Sequence, residues 1–461
     1  MIKEQHLSRI ITFTKDVYPN YRTLKDKFSF NSKISCKDKI ILLKKGNNIR
    51  LRQFTQEAVD KGALGLICDS SFNASNISRE FPVLRITNIN RYYNDILDLI
   101  YDYPTSKMFK LGVTGTDGKT STCHFIAEMI SKISPQKKIG MITSEGNGIY
   151  PKLRKTNYTT PDNYLLYHNY SKFRESNVDI LIVECSSQGL HQGRLNSHSF
   201  DISILTNINR DHIEYHGSLK NYIKSKMILF NMTTKSVFVN KKNKNISFAN
   251  KKVSKVLFSD SIMVNNKISD NYIPRDLLYK LMSQMFPKKK SIIKNKLKKL
   301  ESVNGRYNYI LGKKKEKIVI DYAHTPSAMM LVCEKITKSR EFQLNKYKLF
   351  IVFGCGGDRD KEKRKLMGKV AMKYADHIIV TDDNPRLEDP KSITNQIISV
   401  FNTKTSFEEI HNRKLAIKTA IKKANSDCVI LIIGKGNESE IIYNKHVKKH
   451  NDIEYVNSIV R

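Results

Sequence analysis

The chain has 461 residues, 40% of them hydrophobic and 27% charged, with a formal net charge of +36. This length predicts about three domains of ordinary size, and the apolar content excludes wholesale disorder. No run approaches the roughly 20 apolar residues of a membrane-spanning helix, and the first residues lack the apolar core of a signal peptide, so we expect a cytoplasmic protein.

The positive charge raises the possibility of a nucleic-acid-binding protein. However, lysine and arginine are spread along the chain, as in the run 241–245, and no nucleic-acid-binding motif accompanies them. A general bias toward Lys, Asn and Ile is the favoured interpretation, and we expect neither a nucleic-acid nor a membrane partner. A positive field would still speed the encounter with anionic substrates. Seven scattered cysteines without a CxxC pair predict reduced thiols rather than disulfides or a zinc site.

The first two regions of the chain both read as α/β. Apolar runs at 40–43 and 64–68, with a helical stretch at 54–62 between them, predict a small domain that ends near a linker at 103–106. A strand, a glycine-rich turn and a helix from residue 121 then follow. Buried strands predicted at 180–183 and 202–205 have continuous apolar runs, which are typical of a parallel sheet covered on both faces.

A last α/β region begins near residue 306. It follows a Lys/Asn-rich stretch that ends in a basic surface helix predicted at 291–300. Its predicted strands, again rich in apolar residues, are 317–320, 349–353, 377–380 and 429–433. Polar segments follow these strands, and open α/β sheets bind ligands at the carboxyl ends of their strands.

The glycine-rich turn at residues 112–120 carries the clearest chemistry. Its glycines let backbone N–H groups face phosphate oxygens, and the helix that follows presents its positive end to the same anion. Lys119 would reach the terminal phosphates, and Thr120 would ligate Mg²⁺. The spacing differs from the standard phosphate loop, because Gly112 lies seven residues before Lys119 rather than six.

This variant loop resembles that of the Mur ligase and folylpolyglutamate synthetase superfamily, and the resemblance continues through most of residues 110–440. Within it, the chain is most similar to the ligases that add the third residue of the peptidoglycan stem peptide. The resemblance implies an N-terminal UDP-precursor-binding α/β domain (1–105), a central P-loop-like ATPase domain with a mostly parallel sheet (106–304) and a C-terminal Rossmann-like amino-acid-binding domain (305–461). We expect a monomeric ligase of cell-wall biogenesis that serves cell shape and cell division.

The resemblance also implies an ATP site and a metal site. Glu184 and His212 follow strand ends, and a carboxylate and a neutral imidazole suit Mg²⁺ already held by ATP oxygens. Two Mg²⁺ ions are expected, with Thr120, Glu184, His212 and a carbamylated Lys226 as ligands. Lys119, Lys226, His212 and Arg306 are the expected catalytic residues. The expected ATP-binding residues are Gly115, Thr116, Asp117, Gly118, Lys119, Thr120, Ser121, Asp321 and His324.

Two further sets of residues match positions that bind the other substrates in the family. The UDP-precursor set is Phe30, Ser32, Thr159, Thr160, Ser186, Gln192 and Arg194. The amino-acid set is Arg359, Asp383, Asn384, Pro385, Arg386, Gly434 and Glu438. An arginine can grip a carboxylate with two hydrogen bonds, so Arg386 favours meso-diaminopimelate, whereas lysine and ornithine stay open because they lack the distal carboxylate.

The chain departs from the family pattern at several positions. Gln188 and Asn437 replace histidines, Asn308 replaces a glutamate and Lys365 replaces a proline. The Phe-Asn-x-x-Asn segment that contacts adenine in the family is not visible before residue 300. Two alternatives therefore stay open: a folylpolyglutamate synthetase-like ligase, and an inactive basic binding protein on a ligase fold.

Overall fold

The computed structural model describes residues 2–20, 23–30, 36–46, 48–73, 77–156, 158–196, 198–243, 255–259, 268, 274–300 and 303–460. Among these residues, no helix combines the length and apolar character needed to cross a membrane. The backbone contacts divide the chain into two compact units. Unit 1 contains residues 1–111 and 137–201, and unit 2 contains residues 112–136 and 202–461.

The N-terminal elements alternate between helices and short strands. In chain order they are α1 (Ile2–Val17), β1 (Phe28–Ser29), β2 (Ile40–Leu42), α2 (Asn48–Asp60), β3 (Gly65–Asp69), β4 (Val83–Ile86) and α3 (Ile89–Ile100). The strands form a parallel sheet in the order β1-β2-β3-β4. Every residue of β2 and β3 is buried, as expected for strands covered on both faces.

The central elements continue the alternation. They are β5 (Phe109–Thr114), α4 (Lys119–Ile133), β6 (Ile139–Thr143), β7 (Gly146–Ile149), β8 (Lys152–Arg154), α5 (Asn163–Glu175), β9 (Ile180–Glu184), α6 (Ser187–His191), β10 (Phe200–Leu205), α7 (Ile213–His216), α8 (Leu219–Asn231), β11 (Thr233–Asn240) and β12 (Lys255–Ser259). Unit 1 holds neighbouring strands in the order β9-β6-β7-β8, and unit 2 holds β12-β11-β10. The pairs β6–β9 and β11–β12 are parallel, whereas β7 runs antiparallel to both of its neighbours.

The C-terminal elements build a second α/β sheet in unit 2. They are α9 (Arg275–Met285), α10 (Lys290–Leu297), β13 (Asn308–Leu311), β14 (Lys317–Asp321), α11 (Pro326–Thr337), α12 (Arg340–Asn345), β15 (Lys348–Phe353), α13 (Glu362–Tyr374), β16 (His377–Val380), α14 (Pro390–Ile398), β17 (Phe407–Glu409), α15 (Arg413–Lys423), β18 (Cys428–Ile433), β19 (Glu440–Ile442), β20 (Val447–Lys449) and α16 (Asp452–Val460). Six of these strands form one sheet in the order β13-β14-β18-β15-β16-β17. In this sheet only β13 runs antiparallel to its neighbour.

Side chains from alternate positions of the C-terminal strands enter two separate cores. Ile318 and Ile320 of β14 pack into one core with α15 and α16, whereas Val319 packs into the other with α11 and α13. Successive side chains of a strand point to opposite faces, so a continuous apolar run buries both faces of the sheet. The polar segments that follow the strands are therefore left at the edge where the strands end.

The predicted α/β class with mostly parallel sheets is confirmed. Each predicted buried strand is present to within two residues at either end, and the predicted basic helix at 291–300 is α10. The sequence interpretation did not identify β6, β7, β8 or β11. The predicted domain boundaries near residues 105 and 304 stay predictions.

Candidate active site

The phosphate loop connects β5 to α4 and depends on two glycines. Gly115 has a φ of 150°, and a Cβ there would lie 1.9 Å from Thr206 Oγ1, so only glycine fits. Gly118 has a φ of 75° and caps α4, and a Cβ there would meet nothing within 4 Å. The loop therefore combines a tight backbone contact at one end with open space before the first turn of α4, where an anion would meet free N–H groups.

Asp117 is held by side chains from two other segments of unit 2. Its carboxylate accepts hydrogen bonds from Thr325 Oγ1 at 3.0 Å, Ser327 Oγ at 3.0 Å and Asn209 Nδ2 at 3.3 Å. Its backbone N–H donates to Asn207 Oδ1 at 2.9 Å. Asp117 thus ties the phosphate loop to the segment after β10 and to the start of α11.

Lys119, Thr120 and Ser121 form the first turn of α4, as expected for phosphate-binding residues. Lys119 Nζ donates to Thr116 O at 2.8 Å, so its ammonium folds back over the loop. Thr116 Oγ1 also lies 2.9 Å from the Tyr222 hydroxyl, which joins the loop to α8.

Arg306 reaches the phosphate loop from the start of the C-terminal region. Its Nη2 lies 3.5 Å from Thr120 Oγ1, and its guanidinium stacks 3.9 Å over the Tyr322 ring. The Asp321 carboxylate accepts the N–H groups of Tyr307 and Ala323, both at 2.7 Å. Burial raises the pKa of Asp321, although Arg306 opposes this shift. Asp321 therefore holds the turn that carries Arg306.

Asp211 and His212 follow β10 and form the centre of a charged cluster in unit 2. Burial alone would raise the pKa of Asp211, but His212, His324, Lys363 and Lys119 lower it to about 2. His212 has a φ of 54°, which is a left-handed conformation. Its backbone N–H donates to Asp211 Oδ1 at 3.0 Å and supports this conformation. Burial lowers the pKa of His324, and Lys363 lowers it further, against Asp211 and Asp117.

Lys226 of α8 is almost fully buried, with 1% of its surface exposed. Its Nζ donates to Gly115 O at 2.6 Å and lies 4.4 Å from the centre of the Tyr222 ring. Lys226 therefore contacts the phosphate loop. A carbamate on this nitrogen would keep one N–H, which can still donate to Gly115 O, and would add two oxygens that only accept hydrogen bonds.

Glu184 ends β9 in unit 1, where it is 2% exposed. Its Oε2 accepts the N–H of Ser144 at 3.0 Å and the Ser144 hydroxyl at 3.3 Å. Thr160 Oγ1 donates to Glu184 O at 2.7 Å and accepts the N–H of Ser186 at 2.9 Å. Three residues predicted for metal or precursor binding, Glu184, Thr160 and Ser186, are thus brought together.

Arg194 and Gln192 extend the same site in unit 1. Arg194 donates from Nε and Nη2 to Gln192 Oε1, at 2.9 and 2.6 Å, and from Nη1 to Thr160 O. Thr159, partly exposed, directly precedes Thr160. Phe30 lies farther along the unit, where its ring contacts Tyr164 with centroids 5.4 Å apart. Ser32 lies outside the described residues.

The segment from Asp383 to Arg386 follows β16 and lies against Gly434, which follows β18. A Cβ on Gly434 would approach Asp383 Oδ2 to 2.5 Å, and its φ of 114° also favours glycine. Arg386 Nη1 donates to Gly357 O at 2.8 Å, and the Pro385 carbonyl lies so close to Gly357 that a Cβ there would be 1.8 Å away. Burial, followed by the charge of Arg359, lowers the pKa of Arg386.

Glu438 is already paired within the chain. Its Oε2 accepts hydrogen bonds from Lys435 Nζ at 2.7 Å and Asn384 Nδ2 at 3.0 Å, while the Tyr322 hydroxyl donates to Oε1 at 3.2 Å. Lys435 is fully buried and also donates to Asn384 Oδ1 at 3.2 Å. Sequence reasoning missed Lys435, although the lysine stands inside the motif 434–438.

Two buried arginines that the sequence interpretation also missed brace this end of the sheet. Arg413 is bidentate to Asp452, with both N–O distances 2.8 Å, and donates to the carbonyl oxygens of Asp382 and Ile433. Arg364 is bidentate to Glu388, again at 2.8 Å. No local motif marks either residue, since the partners lie 39 and 24 positions away.

The metal-binding prediction fits the donors that the chain offers. Among the described residues, no three His, Cys, Asp or Glu side chains are close enough to hold a metal ion by themselves. Mg²⁺ usually binds one or two carboxylates together with substrate phosphates, and it keeps several waters. His212 Nδ1 is buried and lies 3.6 Å from Glu214 Oε1, beyond hydrogen-bond distance, so this nitrogen is available as a ligand.

Two family descriptions match adjacent parts of the chain. Residues 113–309 match the Mur ligase middle domain, and residues 305–436 match the Mur ligase, glutamate ligase domain. The chain is 33% identical to a UDP-N-acetylmuramoyl-L-alanyl-D-glutamate–2,6-diaminopimelate ligase of Rickettsia bellii, over 92% of this chain and 94% of the relative. It is 30% identical to the ligase of the same name from Coxiella burnetii, over 87% of this chain and 89% of that relative.

Solved structures show the same likeness. A structure of UDP-N-acetylmuramoyl-L-alanyl-D-glutamate–2,6-diaminopimelate ligase matches 97% of this chain and 98% of its own, with a TM-score of 0.63 and 26% identity. The MurF ligase of Thermotoga maritima, in complex with ADP, has a TM-score of 0.58 at 16% identity. The match covers 90% of this chain and 95% of the MurF chain. A folylpolyglutamate synthase of Mycobacterium tuberculosis has a TM-score of 0.59 at 15% identity and matches 74% of this chain. The last two likenesses concern the fold alone.

Proposed function

Because the chain belongs to the Mur ligase family, we propose that it is an ATP-dependent ligase that joins a diamino acid to UDP-MurNAc-L-Ala-D-Glu in peptidoglycan biosynthesis. The relatives named for this reaction match the chain almost from end to end, whereas the folylpolyglutamate synthase matches only 74% of it. The observation that carries the proposal is the phosphate loop, to which Lys119, Arg306 and Lys226 all contribute contacts.

The proposed reaction proceeds through an acyl phosphate, because a carboxylate is a poor electrophile until it is activated. The γ-phosphoryl group of ATP passes to the D-glutamyl γ-carboxylate, and the amine of the diamino acid then attacks the activated carbonyl carbon and displaces phosphate. Lys119 and Arg306 lie where charge develops on the transferred group, and neutralising that charge is the main part of phosphoryl-transfer catalysis.

We place Mg²⁺ at the phosphate end of this site, with Thr120, Glu184, His212 and a carbamylated Lys226 as ligands. Bound Mg²⁺ would supply positive charge at the phosphates. The buried Asp211, with its pKa near 2, stays ionised and keeps His212 oriented. Carbamylation would turn the buried Lys226 ammonium into an anion. The remaining N–H of the carbamate could still donate to Gly115 O.

Meso-diaminopimelate is the proposed amino acid. The relatives are named for 2,6-diaminopimelate. Burial and the charge of Arg359 disfavour the Arg386 cation, as its lowered pKa indicates, and the distal carboxylate would stabilise that cation. The ion pair between Lys435 and Glu438 and the hydrogen bond from Asn384 to Glu438 hold the opposite side of the site in place. The enzyme would act in the cytoplasm, where ATP and the UDP-linked precursor are available.

Product formation tests this function directly. Purified protein is given ATP, Mg²⁺ and UDP-MurNAc-L-Ala-D-Glu with diaminopimelate, lysine or ornithine, and products are identified by mass. We expect the diaminopimelate adduct, and turnover lower by about three orders of magnitude in Lys119→Ala, as for loss of a group that stabilises developing charge. Near-normal turnover in Lys119→Ala would refute the role of the loop. Folate-stimulated ATP hydrolysis without adduct would instead favour a folylpolyglutamate synthetase.

A further inference from the structure

The hairpin of β19 and β20 lies against the segment from Asp383 to Arg386 in unit 2 and forms a two-stranded sheet of its own. Tyr443 begins its turn. The N–H of Tyr443 donates to His446 O at 2.9 Å, and the two rings stack with centroids 4.8 Å apart. A two-stranded hairpin is at best marginally stable by itself, so its place in the fold depends on bonds to its surroundings.

The hairpin contacts the amino-acid segment at two successive residues, Ile442 and Tyr443. The N–H of Arg386 donates to Ile442 O at 2.9 Å, and the N–H of Ile442 donates to Asn384 Oδ1 at 3.0 Å. Arg386 also forms a parallel β-bridge with Tyr443. The φ of Arg386 is 55°, a left-handed conformation that a residue other than glycine keeps only when its surroundings hold it. The hairpin therefore fixes the backbone from which the Arg386 guanidinium extends.

The Tyr443 hydroxyl ties the hairpin to the body of the C-terminal sheet. It donates to Asp382 Oδ2 at 3.0 Å, and the other carboxylate oxygen of Asp382 lies 2.8 Å from His411 Nδ1. The Asp382 carbonyl oxygen accepts Arg413 Nη1 at 3.3 Å, and Arg413 is fully buried in its two-bond pair with Asp452. Burial and the Asp382 carboxylate raise the pKa of Tyr443, so the phenol keeps the proton that it donates. Asp382 is thus a fixed anchor, and Tyr443 is the hairpin side chain that binds to it.

We propose that Tyr443 is a positioning residue for amino-acid selectivity: by binding Asp382, its hydroxyl holds the hairpin against residues 383–386 and keeps Arg386 directed at the distal carboxylate of the diamino acid. Tyr443 acts through Arg386 and does not contact the amino acid. A charge-assisted bond between arginine and a carboxylate depends on geometry, so a displaced Arg386 weakens the binding of diaminopimelate more than that of lysine, which lacks this carboxylate. This inference rests on the proposed function.

The test removes a single hydroxyl. Tyr443→Phe keeps the ring and loses only the bond to Asp382. Tyr374→Phe is the matched control, because the Tyr374 hydroxyl also donates to a carboxylate, Glu334 Oε1 at 3.1 Å, between α13 and α11. For each variant we measure the kinetics with diaminopimelate and with lysine, the melting temperature, and the hydrogen exchange of the peptide that spans residues 383–388.

We expect Tyr443→Phe to raise the KM for diaminopimelate about tenfold, the lower end of the range for a hydrogen bond to a charged group, with kcat changed less than about threefold. The rate with lysine should change less than about twofold, since lysine does not use Arg386. Exchange in the peptide should become faster, because Ile442 O holds the Arg386 N–H less firmly. Tyr374→Phe should lower the melting temperature by a similar amount without either effect.

A double-mutant cycle separates the positioning of Arg386 from a general structural effect. In an Arg386→Ala background, Tyr443→Phe should change kcat/KM for diaminopimelate less than about twofold, because no guanidinium is left to position. An unchanged KM in Tyr443→Phe, or the same loss in the Arg386→Ala background, would overturn the proposal. If Tyr443→Phe does not fold, Asp382→Asn takes its place with the same criteria, because it weakens the same bond from its other partner.

The wild-type reaction distinguishes the two levels of the argument. If the wild type forms no diaminopimelate adduct, the proposed function fails and this inference fails with it. If the wild type forms the adduct and Tyr443→Phe has wild-type kinetics, only the role of Tyr443 fails.

Discussion

At the scale of single residues, the site separates charges that are already paired from charges left for ligands. Glu438 is paired with Lys435, and Asp321 is satisfied by two backbone N–H groups. Arg386 is different, because within the described residues its guanidinium donates only from Nη1, to the carbonyl oxygens of Gly357 and Asn384, which carry no net charge. Its positive charge is therefore available to a carboxylate.

Selectivity for the amino acid should follow from that difference. Arg386→Ala removes the cation that we assign to the distal carboxylate of diaminopimelate. We expect kcat/KM for diaminopimelate to fall about 100-fold or more, which corresponds to a charge-assisted pair of about 3 kcal/mol, while the low rate with lysine changes little. Parallel assays with the three diamino acids measure this. An unchanged preference would place the selectivity at another residue.

At the scale of elements, α11 links the phosphate loop to the C-terminal sheet. Thr325 caps this helix by accepting the N–H of Ala328 at 3.1 Å, and the same hydroxyl donates to Asp117 at 3.0 Å. Ser339 caps α12 in a comparable way, through the N–H of Phe342 at 3.2 Å, but it has no bond to the loop. The two caps therefore differ mainly in their connection to the phosphate loop.

This difference predicts different consequences for two cap deletions. Thr325→Ala and Ser339→Ala should each lower the free energy of unfolding by about 1 kcal/mol, since each removes a helix cap. Only Thr325→Ala should also raise the KM for ATP, by about three- to tenfold, because Asp117 loses a donor and the loop is held less firmly. Urea unfolding and steady-state kinetics test both effects. Equal ATP kinetics in the two variants would contradict a role for α11 in holding the loop.

At the scale of the whole molecule, buried ionisable groups make stability depend on pH. Burial, with a contribution from Arg306, lowers the pKa of His124 in α4 to about 4. In the described residues its Nε2 has no hydrogen-bond partner, so the folded protein favours the neutral ring. In the unfolded chain the same histidine binds a proton near pH 6.5. The stability that depends on a neutral His124 is therefore fully present above pH 6.5 and is lost as the pH falls toward 4.

We expect the free energy of unfolding to fall between pH 6.5 and 4, with His124 contributing at most about 1.4 kcal/mol per pH unit. His124→Gln should flatten this dependence, whereas the same change at the exposed His191 should leave it as in wild type. Urea titrations at intervals of half a pH unit provide the measurement. Parallel pH profiles for His124→Gln and wild type would show that His124 is not buried neutral.

The sequence by itself determined the features that depend on neighbouring residues. The apolar runs predicted the buried strands, because a strand covered on both faces needs an apolar side chain at every position. The phosphate loop was also readable, since Gly115, Gly118 and Lys119 act within a single turn. Polar positions at strand ends also predicted that ligands bind at the carboxyl edge of the sheet.

Only the tertiary structure decided which charges pair and which stay available. Thr325 bonds to Asp117 across 208 positions of sequence, and Lys226 contacts Gly115 across 111. Nothing in the local pattern distinguishes the buried Lys363 from the exposed Lys365, as both lie in one lysine-rich segment. Burial and pairing of a charged side chain depend on the elements packed around it, and in this chain those elements come from distant parts of the sequence.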